Sequence, residues 1–291
     1  IELALSGKVI KTENFSWDLG VNWSTNKNTV ISLNQGRDNL LLATFQGGAS
    51  LNATVGESYG TLRGKDYTYD ANGNRIIDED GFYVLASNKV IGNTQAKWIG
   101  GVSNRVTYKN VSLNFLIDVK KGGDIFSLDQ AYGRETAIYD LGVNDLGNSV
   151  RNPAFDADGN PLDPTQFKVG GVILPGVHED GTPNTTRIDA STSGGTAFSS
   201  DTNPTKAYVY DGSFVKLREV GLTYNVPSKI LDKMKIKGMS FSVIGNNLWI
   251  IHKNLPYADP EAGSSAGNIQ GFQSGVMPAT KVYSFNVKLN F

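Results

Sequence analysis

A chain of 291 residues can form one large domain or two smaller ones. Its net charge of −1, absence of Cys and two His exclude disulfides, thiolate nucleophiles and thiolate metal sites, and offer no basic surface for nucleic acid. No run of roughly eighteen apolar residues occurs, so no helix is expected to cross a membrane; 33 Gly, 12 Tyr and 13 Phe at 39% apolar content suit a membrane β-barrel, in which only alternate residues meet lipid.

Ile1, Leu3, Leu5 and Val9 alternate with polar neighbours and predict a first strand, closed by a short turn at Thr12–Asn14. Phe15, Trp17, Leu19, Val21 and Trp23 alternate with Ser16, Asp18, Gly20, Asn22 and Ser24, and the pattern resumes at Thr29, Ile31 and Leu33. One long strand from Phe15 to Leu33 is therefore expected; at about 3.3 Å per residue it would cross a bilayer even when tilted. Trp98, Val102, Val106 and Tyr108 lead into a Lys109-Asn110 turn, and Val111, Leu113, Phe115, Ile117 and Val119 return from it. Phe214 to Glu219 runs in the opposite phase to Val220, Leu222, Tyr224 and Val226, with Lys216 and Arg218 on one face, so a bulge near Glu219 is expected. A helix-like link at Pro227–Gly238 precedes a strand carrying Met239, Phe241, Val243, Trp249 and Ile251, and Tyr283, Phe285, Val287, Leu289 and Phe291 close the chain.

Short links thus alternate with long polar segments at Asn34–Lys97, Lys120–Gly212 and His252–Ala279. Outer-membrane barrels have this rhythm, with short periplasmic turns and long extracellular loops. The predicted fold class is all-β, an antiparallel transmembrane β-barrel. Seven strands with this polarity leave an odd number missing from an even-stranded barrel. Residues 1–291 are accordingly expected to be the C-terminal part of a single barrel domain, the chain beginning mid-protein. Asn104, Asn114, Asp118, Asn246 and Asn290 are expected on the lumen side.

Several segments resemble the SusC/RagA family of TonB-dependent transporters. They are Asp211 to Pro227 (DGSFVKLREVGLTYNVP), Phe241 to Trp249 (FSVIGNNLW), Pro256 to Glu261 (PYADPE), Gly60 to Gly64, Lys120 to Phe126, and Gly92 to Gly101. In the last of these, Ala96 and Lys97 stand where Pro and Asp are commoner in the family. The likeness runs in order along essentially the whole chain. It implies a 22-stranded barrel with a plugged lumen, whose N-terminal plug and TonB-contacting region would lie upstream. It also implies a SusD-like surface lipoprotein as a lid, and import of oligosaccharides or oligopeptides.

No cofactor or catalytic residue is expected. There is no Gly-x-Ser-x-Gly elbow or phosphate-binding loop, and His178 and His252 are far apart in sequence. Asp70, Asn72, Asn74 and Asp78 alternate as calcium ligands do, but Arg75 and Gly81 occupy the positions for Gly and the bidentate Glu, so a hairpin turn is the better reading. Trp17, Trp23, Trp98, Trp249, Tyr108 and Tyr224 are assigned to an interfacial girdle rather than to sugar stacking. Tyr59, Tyr67, Tyr69, Tyr132, Tyr139, Tyr257 and Phe272 lie in the long segments and are the ligand candidates. Tyr283, Phe285, Val287, Leu289 and Phe291 are read as a signal for the barrel-assembly machinery. Outer-membrane lipid is the expected surrounding. A passive porin or structural barrel and a secreted carbohydrate-binding β-sandwich are the competing readings.

Overall fold

The computed structural model describes residues 1–136, 138–191, 197–232, 236–263, 267 and 269–291. In chain order, β1 (Glu2–Lys11) and β2 (Phe15–Ser24) flank the first turn, and β3 (Asn39–Thr44), β4 (Ser50–Thr54), β5 (Thr61–Tyr67) and β6 (Leu85–Asn93) lie in the first long segment. β7 (Ala96–Tyr108) and β8 (Val111–Gly122) follow. The second long segment holds β9 (Asp124–Ser127), α1 (Leu128–Glu135), β10 (Val172–Ile173), β11 (Arg187–Ile188) and β12 (Val209–Asp211). Then come β13 (Phe214–Asn225), the single-turn α2 (Ser228–Leu231), β14 (Gly238–Lys253), β15 (Phe272–Gln273) in the third segment, and β16 (Val282–Asn290).

The seven long strands form one antiparallel sheet in the order β1-β2-β7-β8-β13-β14-β16. Once the inserted strands are set aside, every neighbour in space is the next in sequence. That is the up-and-down meander of a barrel wall, and it is a single sheet rather than the two facing layers of a sandwich. The expected bulge is present: Arg218 is skipped in the register with both β8 and β14.

Register shows which residues share a face. Leu5, Val21, Val102, Ile117 and Leu217 pair across successive strands, as do Tyr108, Val111, Tyr224, Phe241 and Val287. This face is apolar from edge to edge, and Leu5, Leu113, Leu222, Val243 and Phe285 are exposed on it. The other face carries Lys8, Asp18, Arg105, Asn114, Thr223, Ser242 and Asn286. Asn114, Asp118, Asn246 and Asn290 belong to this polar face, as expected. Asn104 does not. It pairs with Leu19 and Phe115 on the apolar face, and it avoids being an orphaned polar group there by accepting a 3.1 Å hydrogen bond from Trp17 Nε1.

Two expectations about length need correction. β2 ends at Ser24 rather than Leu33, because the following chain leaves the sheet: Val30 donates to the Glu57 carbonyl at 2.8 Å and its own carbonyl accepts from Gly56 at 2.9 Å. The long segments are also far from irregular. β3 to β6 make a four-stranded sheet, and β12, β9 and β15 join the second and third segments in a three-stranded one.

Much of the rest is built from one repeated turn. At Asp70–Asn74, Asp78–Phe82, Asn144–Asn148, Asp156–Asn160 and His178–Thr182 the first residue donates to the carbonyl of the fifth at 2.8–2.9 Å. The fourth is always Gly, with φ between +74 and +90°. This is the left-handed position of a three-residue hairpin loop, open to Gly at little steric cost. In the four turns headed by Asp or Asn, the head's side-chain oxygen accepts from the amides two and four residues on.

The hydrophobic core sits in these segments, not in the large sheet. One cluster joins Phe45, Leu51, Leu62 and Ile91 of the first segment to Phe126, Leu128 and Tyr208 of the second, with Phe272 of the third packed against it. A second joins Tyr67, Ile77 and Tyr83 to Val150, Leu174 and Ile188. The three segments therefore form one structured cap at one end of the sheet.

Candidate functional site

Where the cap meets the polar face, charged groups converge. Lys216 and Arg218 face that side of β13, and the bulge lets Glu219 follow Arg218 there. Lys216 Nζ lies 2.6 Å from Asp259 Oδ1 and 2.5 Å from Glu261 Oε2. Arg218 Nη2 lies 2.5 Å from Asp118 Oδ2 of β8 and 2.9 Å from Glu261 Oε1. Lys216 and Asp259 have only 4% and 6% of their side chains exposed. Two cations of the wall thus hold two carboxylates of the third long segment in a network with every charge partnered. Burial alone would raise the Glu261 carboxyl, but hydrogen bonds from Arg218 and Lys216, with their charges, bring it down to about 2.

The same segment is fixed at further points. Lys253 Nζ donates to the Ala258 carbonyl at 2.8 Å, and Gln130 Nε2 of α1 donates to the Pro256 carbonyl at 3.2 Å. Asp129 of α1 accepts from Gly275 N at 2.9 Å, and Phe272 stacks on Phe45 with centroids 4.6 Å apart. The described residues 253–263 and 269–275 form a strap laid over the end of the sheet.

Tyr257 stands on this strap. Its ring stacks on Tyr139 at 4.4 Å and 12°, and it is 71% exposed. Tyr139 in turn lies against α1 at Gly133, where a Cβ would fall 2.2 Å from Tyr139 Cε2. Tyr257 also has φ +58°, uncommon for a residue other than Gly, Asn or Asp. Held at Pro256, Ala258, Asp259 and Glu261, it has little freedom to relax. The result is a rigid two-ring pile with one free face, suited to stacking on a ligand.

The other ligand candidates divide. Tyr69 and Tyr132 are exposed, Tyr132 Oη accepting from Gln46 Nε2 at 2.7 Å, and Tyr59 is half-buried. Tyr67 is a core residue: it packs edge-on against Tyr83 beneath Arg75, and burial pushes its phenol up to about 12. Phe272 is likewise taken up in the cap core. Neither is placed to meet a ligand.

Asp70, Asn72, Asn74 and Asp78 belong to two successive turns rather than one ion cage. Asp70 Oδ1 accepts from the Asn72 and Asn74 amides at 2.8 Å, and Asp78 Oδ1 from those of Asp80 and Phe82 at 3.1 and 2.8 Å. Among the described residues no group of three His, Cys, Asp or Glu is arranged to hold a metal ion.

Trp17, Trp23, Trp98, Tyr108 and Tyr224 all lie on the apolar face by register, Tyr108 and Tyr224 at the short-turn end and Trp98 at the cap end. Trp249 pairs with Leu217 and is exposed. Tyr283, Phe285, Val287 and Leu289 line the apolar face of β16, an edge strand, with Phe291 just beyond it.

The ion network was not foreseen, although a signal existed. A Lys-x-Arg pair on the polar side of a strand and an Asp-Pro-Glu triplet in a later loop are complementary at the same i, i+2 spacing. Sequence does not say that the loop folds back onto that strand.

No family model matches the chain. Two curated relatives from Formosa agariphila, TonB-dependent receptor P3 and TonB-dependent receptor P26, are each 26% identical over all of this chain, which covers 28% of their length. Among solved structures, the RagAB peptide transporter matches all of the chain at 18% identity and a TM-score of 0.62, over 29% of its own length. The RagAB peptide importer in its open-open state matches at 17% and 0.62, over 28% of its length. The chain thus spans less than a third of the relatives it resembles, and the shared element is the sheet with its cap.

Proposed function

We infer that this chain, a stretch of SusC/RagA-like TonB-dependent transporter barrel from the bacterial outer membrane, supplies wall and mouth to an active importer. The observation that carries this is the division of one seven-stranded meander into an apolar and a polar face, with three long connections gathered at one end. A closed barrel leaves no backbone hydrogen bond unpaired in lipid; here the apolar face meets hydrocarbon and the polar face lines the lumen. The cap lies outside the cell, and the short turns face the periplasm.

The cargo is oligosaccharide or oligopeptide, met at the mouth by the Tyr139–Tyr257 pile; the peptide transporter among the structural neighbours supports the peptide alternative. A SusD-like lipoprotein covers the mouth, and TonB acts through a plug-bearing region of the longer protein. Residues 1–291 are the C-terminal part of the barrel domain. The strand-end Trp and Tyr residues anchor it at the interfaces, and Tyr283 to Phe291 serve the assembly machinery. This is transport without covalent chemistry.

The test is uptake by cells carrying the full-length protein, with and without TonB. Accumulation of oligosaccharide or oligopeptide that stops when TonB is removed supports the reading; uptake indifferent to TonB would make this a passive porin.

A further inference from the structure

Of the ion pairs among the described residues, Lys216–Asp259 is the most enclosed. Its surroundings hold more than a plain pair requires. Lys216 Nζ touches both Asp259 Oδ1 and Glu261 Oε2, and the Glu261 amide donates to the same Asp259 Oδ1 at 2.9 Å. Nζ also lies 4.9 Å over the Phe214 ring, and Leu255 and Pro260 beside the pair are fully buried. The neighbouring cations are engaged elsewhere: Lys253 donates to the Ala258 carbonyl, and Arg218 pairs with Asp118 and Glu261. An amine, a carboxyl group, a second carboxylate and a backbone N–H thus meet in a place sheltered from water.

We propose that Lys216 and Asp259 join in an isopeptide bond, Nζ to Cγ, with Glu261 as the proton relay. The pair starts as an ammonium and a carboxylate. Glu261 Oε2 takes a proton from Nζ, and the free amine attacks Cγ. Charge that develops on Oδ1 is met by the Glu261 N–H, as in an oxyanion hole. A second proton leaves the nitrogen through the same carboxylate. Both protons are delivered to Oδ2, the Cγ–Oδ2 bond breaks, and water departs. The nitrogen keeps one hydrogen, Glu261 ends as it began, and no oxidant or cofactor is consumed. A hollow of about 300 Å³, lined by both Lys216 and Asp259, gives the water a way out.

Three features favour reaction over a lasting ion pair. Groups held in contact react as though at effective concentrations of about 10⁵ M or more when well aligned. Two enclosed charges carry a desolvation penalty that the neutral amide does not. The usual side reaction of an aspartyl group is also closed. Asp259 is followed by Pro260, which has no N–H to attack Cγ and form a succinimide. Arg218 holds Glu261 from the other side and keeps it ionised between transfers, so the Glu261–Arg218 contact stays ionic once the bond is made. The bond spans 43 positions and fixes the strap to the wall, in a chain with no Cys to form a disulfide. It does not depend on what the longer protein transports.

The test is peptide mass spectrometry of the full-length protein purified from its native outer membrane, fully denatured and digested with trypsin. The expected product is a branched peptide, uncleaved after Lys216 and joined to the peptide that carries Asp259. It should be lighter than the two together by one water, with fragment ions placing the join at these residues. Asp259→Asn should give the identical branched peptide, since ammonia then leaves in place of water. Lys216→Arg should abolish it, and Glu261→Gln should lower its yield at least tenfold. Two separate peptides of full mass from the wild-type protein overturn the proposal, and that reading needs no variant to fold. A join at another lysine overturns it too, as does a yield in Glu261→Gln equal to that of the wild type.

Discussion

Lys216 is nearly fully enclosed between Asp259 and Glu261, so removing it leaves Asp259 buried without its ion-pair partner. Deleting one partner of a buried ion pair costs about 3–5 kcal/mol. In Lys216→Ala, amide exchange across 256–263 should accelerate roughly a hundredfold or more, since each 1.4 kcal/mol is about tenfold; unchanged exchange would mean that α1 alone retains the strap. Protonation probes the same contact. Glu261 falls from 4.5 to about 2 on folding. A carboxyl lowered in the folded state contributes its stabilisation fully above the unfolded value and loses it as pH falls through the folded one. The strap should therefore stay protected above about pH 4.5 and become progressively accessible toward pH 2, read by exchange or acid-protease cleavage at 256–263. Glu261→Gln should abolish that step. At Gly133 the argument is steric: Gly133→Ala drives a methyl into the Tyr139 ring, so the Tyr139–Tyr257 stack should be lost and binding of cargo with it, while the barrel still assembles. The ion pairs of Lys216 and the Tyr139–Tyr257 stack were beyond reach of the sequence, because they join residues some forty and more than a hundred positions apart whose nearness depends on how the cap folds.

Among the elements, the wall strands were legible because a period of two fixes which side each residue faces, and one phase slip at Arg218 was enough to reveal the bulge. Asn104 was misplaced for a local reason. Position parity puts it with Val102 and Val106, and only its polarity suggested the lumen; Trp17 is what lets an amide sit on the apolar side. The cap reads as loop in the sequence because its repeated turns are too short for any periodicity, and their recurring signal, an Asp, Asn or His three residues before Gly, marks turns without saying that they stack into a core. Register also sets the next prediction. Val21 lies on the apolar face and Asn22 on the polar one. Val21→Arg should cost about 2–4 kcal/mol near the bilayer midplane, whereas Asn22→Arg should cost far less, both measured by urea titration of the full-length protein folded into vesicles. Equal penalties would mean that the two faces do not see different solvents.

For the whole molecule, two units with different solvents share one chain. The wall, in the proposed barrel, meets lipid on its apolar face and is tied by hydrogen bonds from strand to strand, while the cap has its own core drawn from all three long segments. Because Phe45, Phe126 and Phe272 meet in one cluster, no segment can leave without opening the others, and the cap should unfold as a single cooperative unit below the temperature at which the barrel does. Limited proteolysis of the full-length protein in detergent, followed on heating, should then cut within 39–93 and 124–211 over the same narrow interval while the wall strands stay protected and the barrel keeps its heat-modifiable mobility on gels. Leu51→Asp, in the shared core, should lower that interval for both segments together. Separate cleavage temperatures for the two would mean that the cap is a set of independent loops, and the strap and the Tyr139–Tyr257 pile would then lose the rigid support that their geometry depends on.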